Sequence, residues 1–470
     1  MVIQPVLLWS DALLFVLIAV ITGLSLWARR QDALRAAWAR VARDRVAMAA
    51  ATVLAVFVLI GLLDSLHYRA RLEPQAGDKS VTTAVTTARY AVEVSSALDA
   101  LLADLRSRTE KTYSAPLATH LFAREALENS TQREFPRLQH GGAHLGDDLS
   151  GHELDIAVRV SRGLAGGLVV WLLLVAVVRR TNGLDLKAVL GVGAGDTAKG
   201  AASGVVLITL LPILLLFGAA ISLGAGYHVF GTDKVGQDVL YLSLKAIRTG
   251  LLIGTLTTLV MLPAAVALGI LAGYVGGWVD DLIQYVYTTL SSIPGVLLIA
   301  AAVLMMQVVI DTHPDWFATS AERADARLLA LCLILGMTSW TGVARLLRGE
   351  TLKLRELEFV QAAQAFGVGS FAIMRRHILP NLMHIVLISL VMDFSGLVLA
   401  EAVLSYVGVG VDPTTISFGT MINTARMELA REPMVWWSLL AAFGFMFTLV
   451  LAANLFADAV RDAFDPRSSA

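Results

Sequence analysis

Residues 356–382, ELEFVQAAQAFGVGSFAIMRRHILPNL, are charged and helix-prone, yet they lie between two long apolar runs, 327–346 and 383–406. A connection between spans needs only a few residues, so a stretch of this length has a task of its own. Phe359, Ala362, Ala363 and Phe366 recur at i, i+3, i+4 and i+7, the spacing of one helix face. Gly367 adopts turn conformations that cost other residues more, so the helix can reverse there. A second helical piece follows, with Arg375 and Arg376 at its end, and Pro380 marks the start of the next apolar run. The pattern predicts a helix–turn–helix knob with a small apolar ridge flanked by Glu356, Glu358 and Gln361. Such a knob fits a groove on a partner; an amphipathic loop lying on lipid headgroups has the same pattern.

The rest of the chain supplies the setting. Of its 470 residues 56% are hydrophobic and 16% charged, with a mean hydropathy of +0.69. That is the composition of an all-α polytopic membrane protein. A net charge of −1 gives no basis for a nucleic-acid partner. The single cysteine, Cys332, lies in an apolar run, so no intrachain disulfide can form.

A bilayer core takes about 20 apolar residues of helix. Nine runs qualify: 8–27, 46–63, 163–179, 204–223, 247–274, 282–308, 327–346, 383–406 and 436–457. The first is expected to be a span and not a signal peptide, because Arg29 and Arg30 follow the apolar run instead of preceding it. Placing the N-terminus outside puts most short-loop Lys and Arg inside, including the loop ARRQDALRAAWARVARDR and the basic C-terminus. The expected topology is therefore N-out/C-in, with 347–382 facing the cytoplasm. Residues 1–63 carry two spans, and 64–162 form an extracytoplasmic inserted domain. Residues 163–223 add two spans with a cytoplasmic loop, and 224–470 hold five closely spaced spans.

The knob resembles the EAA loop of the inner-membrane permeases of ABC importers, in the dipeptide/oligopeptide, binding-protein-dependent branch. That pattern reads EAA, three residues, Gly, about ten residues, then ILP. Here Gln361, Ala362 and Ala363 stand for EAA, Gly367 for the glycine, and Ile378, Leu379 and Pro380 close the motif. Gln361 in place of Glu removes a charge and leaves the ridge. The segment HVFGTDKVGQDVL (228–240) resembles the family's H-P-F-G-T-D-x-x-G-R-D-V, with Val229 for Pro and Gln237 for Arg; Gly231, Thr232, Asp233, Gly236 and Asp238 match. LAGYVGGWVDDLI (271–283), ARLLRGETLKLRELEFV (344–360), LAEAVLSYVGVGVDP (399–413), ISFGTMI (416–422) and VRDAFDPR (460–467) follow in family order. The resemblance covers about 228–467, and the basic stretch and span at 38–63 are similar to the family's first span.

The resemblance implies a type I ABC importer permease core of five to six helices, in the bacterial cytoplasmic (inner) membrane. It implies four kinds of partner: a second homologous permease subunit (a heterodimer), two ABC ATPase subunits, an extracytoplasmic solute-binding protein, and the lipid membrane. Glu358, Phe359, Gln361, Ala362, Ala363, Phe366, Gly367, Ile378, Leu379 and Pro380 would form the ATPase-coupling loop. ATP and magnesium would sit on the partner ATPase, with no cofactor on this chain and no catalytic residue or metal site of its own. Peptides are the implied cargo; the same machinery for nickel or another small solute is the alternative.

Other features are open to two readings. GVGAGDTAKG (191–200) invites a phosphate-loop reading, but Ala198 before Lys199 and Gly200 after it miss both key positions of a Walker loop. Asp393 and Glu401 lie in an apolar run, where a carboxylate either contacts a neighbouring helix or lines a translocation path. In the insert, Val81, Ala84, Val85, Ala88, Val92, Leu98, Leu101, Leu102 and Leu105 recur at helical spacing, predicting one long helix with a thin apolar stripe. The insert would serve as a platform for the binding protein, as a lid, or as scaffold. His140, His144, Asp147, Asp148, His152 and Glu153 form either a divalent-metal cluster or a solvated Gly-rich loop. Trp171, Trp278, Trp436 and Trp437 read as interfacial anchors. A secondary transporter would carry internal repeats with interrupted helices, and a membrane enzyme would need clustered acid, base or nucleophile; neither pattern is present in the sequence.

Overall fold

A computed structural model describes residues 3–28, 32–71, 90–126, 133–146, 150–182, 198–317 and 319–464. Short strand β1 (Ile3–Val6) precedes α1 (Trp9–Ala28), α2 (Asp32–Val41) and α3 (Arg45–Asp64). The insert contributes β2 (His67–Ala70), β3 (Ser95–Ser96), α4 (Ala97–Leu101), α5 (Ala103–Ser107), β4 (Glu125–Ala126) and β5 (Arg133–Glu134). There follow α6 (His152–Asn182), α7 (Ala198–Gly224), α8 (Val239–Val275), α9 (Gly277–Ser292), α10 (Gly295–Thr312) and α11 (Ser320–Arg355). The last elements are α12 (Glu358–Ala365), α13 (Ser370–Ile373), a π turn (Met374–Ile378), α14 (Leu379–Val407), α15 (Phe418–Glu428) and α16 (Trp437–Phe464).

Among the described residues, 8 helices are long and apolar enough to cross a membrane: α3, α6, α7, α8, α10, α11, the continuous α13–α14 and α16. The first expected span is α1, whose apolar part, Trp9–Gly23, is shorter. The sixth, expected at 282–308, is broken. Pro294 lacks an N–H and drives Ile293 into an extended conformation (φ −90°, ψ 132°), so α9 stops and α10 begins afresh.

Local chemistry sets several of the starts. Asp44 caps α3 by accepting from the backbone N–H of Val46 (2.7 Å) and Ala47 (3.3 Å). Asp238 caps α8 in the same way through Leu240 and Tyr241. The pair α6 and α7 packs backbone to backbone. A β-carbon on Gly163 would lie 2.4 Å from the Gly218 carbonyl oxygen, and one on Gly167 would lie 2.4 Å from that of Leu214. Trp171 is no headgroup anchor: its indole N–H donates to the Leu207 carbonyl (2.7 Å), fastening the same pair.

The insert departs from the single long helix. β2 pairs antiparallel with β1 and with β3, which draws residues 95–96 into a sheet. A capping box between Ser96 and Asp99 then starts α4 only at Ala97, and the helical path is interrupted at Leu102. Leu98, Leu102 and Leu105 pack into the outer core, Leu101 is exposed, and Val92 precedes any helix. Val81, Ala84, Val85 and Ala88 lie outside the described residues.

The two largest core clusters lie at the two ends of α8, an outer one on the side of the insert and an inner one on the side of the loop 356–382. The outer cluster joins Phe57 and Ile60 of α3, Ile247 of α8, Phe418 of α15 and Trp437 and Leu449 of α16 to Tyr113 of the insert. The inner cluster joins Met261, Ile270 and Tyr274 of α8 to Leu347 of α11, Val360 of α12 and Ile373. Helix α8 runs through both.

Candidate functional site

The loop between α11 and α14 is a short helix tethered on one side and bare on the other. Val360 is fully buried in the inner cluster, and Ala363 packs against it. Phe359, Ala362 and Phe366 face away, with Phe366 87% exposed. The bare ridge is thus these three residues; Ala363, three residues from both Val360 and Phe366, sits at its edge and is partly buried against the inner cluster. Glu358 and Gln361 are exposed, and the Gln361 side-chain amide donates to the Glu356 carbonyl (3.2 Å).

Gly367 ends the helix with φ +75°, and Val368 N–H reaches back to the Ala363 carbonyl (3.1 Å), closing a Schellman turn. A β-carbon on Gly367 would meet nothing within 4 Å, so the glycine is required by backbone conformation and not by crowding. The second helical piece is not separate. Residues 370–373 pass through the π turn into α14, so Arg375 and Arg376 lie within one continuous helix, exposed. The extra residue of a π turn absorbs the clash and the missing N–H that Pro380 brings. Ile378 is buried on the inner cluster, Leu379 packs on it, and Pro380 is exposed.

Residues outside the quoted loop hold it in place. The Gln364 amide donates to the Tyr274 hydroxyl and the Arg355 guanidinium to the Tyr274 carbonyl, both at 3.2 Å. Arg348 grips both carboxylate oxygens of Asp280 at 2.6 Å, joining α11 to α9. Tyr274, Asp280, Arg348 and Arg355 are not among the residues expected to form the site, although all four lie in segments 271–283 and 344–360. Polar side chains placed at the ends of apolar runs were the available signal.

The second motif, 228–240, lies at the other end of α8. Gly231 (φ +69°) and Gly236 (φ +79°) shape its turns. The Asp233 carboxylate accepts from the N–H groups of Val235 (2.9 Å) and Gln237 (2.8 Å). Across this loop runs the insert. Glu110 N–H donates to the Gly236 carbonyl, Leu117 N–H to that of His228, and Thr232 N–H to that of Ser114, at 2.9–3.1 Å. The Thr232 hydroxyl donates to the Thr112 carbonyl (2.8 Å) and accepts from Ser114 N–H (2.7 Å). A β-carbon on Gly236 would lie 1.8 Å from the Glu110 carbonyl oxygen.

Buried His228 stands between two buried carboxylates, donating from Nδ1 to Asp238 (2.8 Å) and from Nε2 to Glu110 (3.4 Å). Burial works against the imidazolium, but the bonds to Asp238 and Glu110 prevail and raise its pKa to about 9. Burial likewise opposes the Glu110 carboxylate, while His228 and the N–H groups of Gln139, His140 and Gly141 hold its pKa at about 2. Trp437 is a packing residue of this site and not a lipid anchor: it is buried, donates to the Thr232 carbonyl (3.0 Å) and stacks edge-on to Phe122. Trp278 and Trp436 are exposed.

The two carboxylates of α14 differ. Glu401 is 1% exposed and accepts from the hydroxyls of Ser405 (2.7 Å) and Ser417 (2.8 Å), bracing α14 to the start of α15. Asp393 is half-buried, and its Oδ2 has no hydrogen-bond partner among the described residues. In the His-rich stretch, His144 donates to Asp155 (2.7 Å), His152 opens α6 and stacks edge-on to Tyr227, and Asp147 and Asp148 lie outside the described residues. No group of three His, Cys, Asp or Glu among the described residues is arranged to hold a metal ion. The phosphate-loop decoy lies outside them through residue 197.

The profile of the family described as "Binding-protein-dependent transport system inner membrane component" matches residues 265–470. An oligopeptide transport system permease protein of Mycobacterium bovis is 32% identical over 241 residues, 51% of this chain and 76% of the relative. The chain belongs to this permease family. A dipeptide transport system permease protein of Lactococcus lactis is 30% identical over 242 residues, 52% of this chain and 64% of the relative. A glutathione transport system permease protein of Pectobacterium atrosepticum is 31% identical over 242 residues, 51% and 73% of the two chains. This is accordingly an ABC-importer permease, a multi-pass transport subunit of the cytoplasmic membrane.

Proposed function

We propose that this permease is the subunit through which an ATP-driven importer moves peptides delivered by an extracytoplasmic binding protein. The observation that carries the coupling step is the two-faced α12, whose inward face is buried on α8 and α11 while Phe359, Ala362 and Phe366 stand bare. In an isolated chain an apolar ridge facing water is costly; a cleft on an ATPase subunit covers it. Closure of two ATPase subunits around ATP pulls α12, and the helices packed behind it swing as rigid bodies. A second, homologous permease completes the path. ATP and magnesium are held by the ATPase subunits, not by this chain.

The N-terminus and residues 64–162 face outward and the C-terminus inward. The Lys/Arg distribution supports this orientation, as does the position of α12 at the opposite end of α8 from the insert. Peptide cargo is supported by the names of the relatives. Asp393, whose Oδ2 has no hydrogen-bond partner among the described residues, faces the path, where a peptide ammonium supplies its counter-charge. Replacing Ala362 with Arg tests the coupling step: transport is lost while the membrane part folds normally, as judged by monodispersity and melting temperature. Retained ATP-driven uptake in that variant would sink the reading.

A further inference from the structure

Four polar residues at the outer end of α8, Asp238, Tyr241, Lys245 and Arg248, are spaced 3, 4 and 3 apart and so lie on one helix face. Three of them bond directly to the N-terminal pieces, and Asp238 reaches the insert through His228. Asp238 accepts from His228, which also holds Glu110 of the insert. The Tyr241 hydroxyl donates to Asp99 of α4 (2.8 Å). Lys245 pairs with Asp64 at the end of α3 (2.7 Å) and with Asp99 (3.1 Å). Arg248 pairs with Asp11 of α1 (2.6 Å) and donates to Ser65 (3.2 Å). The carboxylates of Asp11, Asp64, Asp99, Glu110 and Asp238 are all buried. A buried pair resists being pulled apart, because separation strands an uncompensated charge away from water.

The inner end of α8 is joined as closely to the coupling loop. A β-carbon on Gly269 would lie 2.8 Å from the Ala344 carbonyl oxygen, and one on Gly273 would lie 2.8 Å from that of Arg348. Tyr274 then holds Arg355 and Gln364. Pro263 interrupts the hydrogen bonding of α8 midway and is where a bend would fall. Helix α11 splints that point. Gly336 abuts Thr257 and Val260 on one side of the proline, and Ala344 and Leu347 abut Gly269 on the other.

We propose that the insert is an outer arm carried by α8, so that when the ATPase displaces α12 the arm is displaced with it as one body. The arm thereby reports the nucleotide state of the inner face to whatever docks outside, across a helix of 37 residues, roughly 55 Å long. This inference rests on α12 being the element the ATPase moves.

The test is a pair of spin labels in the full chain, assembled with its ATPase and second permease in nanodiscs. One label replaces exposed Leu101 of α4, the other exposed Val275 at the end of α8; the native Cys332 is buried. Pulsed distance measurements compare the nucleotide-free complex with the ATP–vanadate complex. The 101–275 distance stays constant, while the distance from Leu101 to a label on the second permease shifts. A 101–275 distance that changes between the two states overturns the arm and leaves the coupling reading intact. Distances that are all constant, including those across subunits, overturn both. Lys245→Met and, as a shape-preserving second variant, Glu110→Gln broaden the 101–275 distribution; unbroadened distributions in both contradict the fastening.

Discussion

Two glycines show how the same residue type is required for different physical reasons. Gly367 needs its positive φ but has open space beside it, so Gly367→Ala strains the turn by about 1 kcal/mol and leaves the packing intact. The expected result is a melting temperature lowered by only about 2 °C or less, with weakened coupling, read as transport per ATP hydrolysed. Gly236 needs both its φ and its emptiness, since the insert's backbone occupies the place of a side chain. Gly236→Ala therefore lowers the melting temperature, because Glu110 and the loop must move apart.

The His228 site gives a pH prediction of the same scale. A histidine whose pKa is raised from 6.5 to about 9 stabilises the fold fully below 6.5, and that contribution is lost as pH climbs through 9. Glu110, lowered from 4.5 to about 2, contributes fully above 4.5 and loses its effect as pH falls through 2. The melting temperature of the native chain thus falls between pH 6.5 and 9 by more than that of Glu110→Gln, in which one of the two imidazolium partners is neutral. Equal slopes would show that Glu110 does not hold the proton on His228.

At the scale of elements, long apolar helices were legible because their signal is length and composition, which nothing in tertiary packing overrides. The knob was legible because a 3.6-residue pattern, a glycine and a proline fall in sequence within it. The sixth span was misread as continuous, although Pro294 marks the break. The stripe in the insert was misread because Leu98, Leu102 and Leu105 keep helical spacing across the interruption at Leu102, and spacing alone does not register an interruption. Trp437 was misplaced for a related reason: an aromatic at the start of a span looks the same whether lipid or an insert covers it. The charged stripe Asp238–Tyr241–Lys245–Arg248 was readable as a face from its spacing, but its partners lie more than a hundred residues away in sequence for Asp99, Asp64 and Asp11. At the inner end, Tyr274→Phe removes the acceptor for Gln364 while keeping the ring. Loss of one such bond costs about 1 kcal/mol, so coupling weakens by a few-fold, measured as nucleotide-stimulated uptake in vesicles.

Over the whole molecule, the permease fold recognisable in its relatives occupies the second half of the chain, and the N-terminal helices and insert are fastened to it at the outer end of α8. The fastenings are ionic and buried outside, and apolar and backbone-close inside, where Gly269 and Gly273 meet α11. One helix therefore has both the coupling loop and the insert attached to it. Coupling requires first that the bare ridge of α12 be covered by an ATPase. The most direct measurement is zero-length or short-arm crosslinking from a cysteine at Phe366, in native membranes where Cys332, the one native cysteine, is buried. A nucleotide-hydrolysing subunit is captured, with a yield that changes on adding ATP and vanadate. Capture of lipid or of nothing from that position, in membranes that still transport, would contradict it.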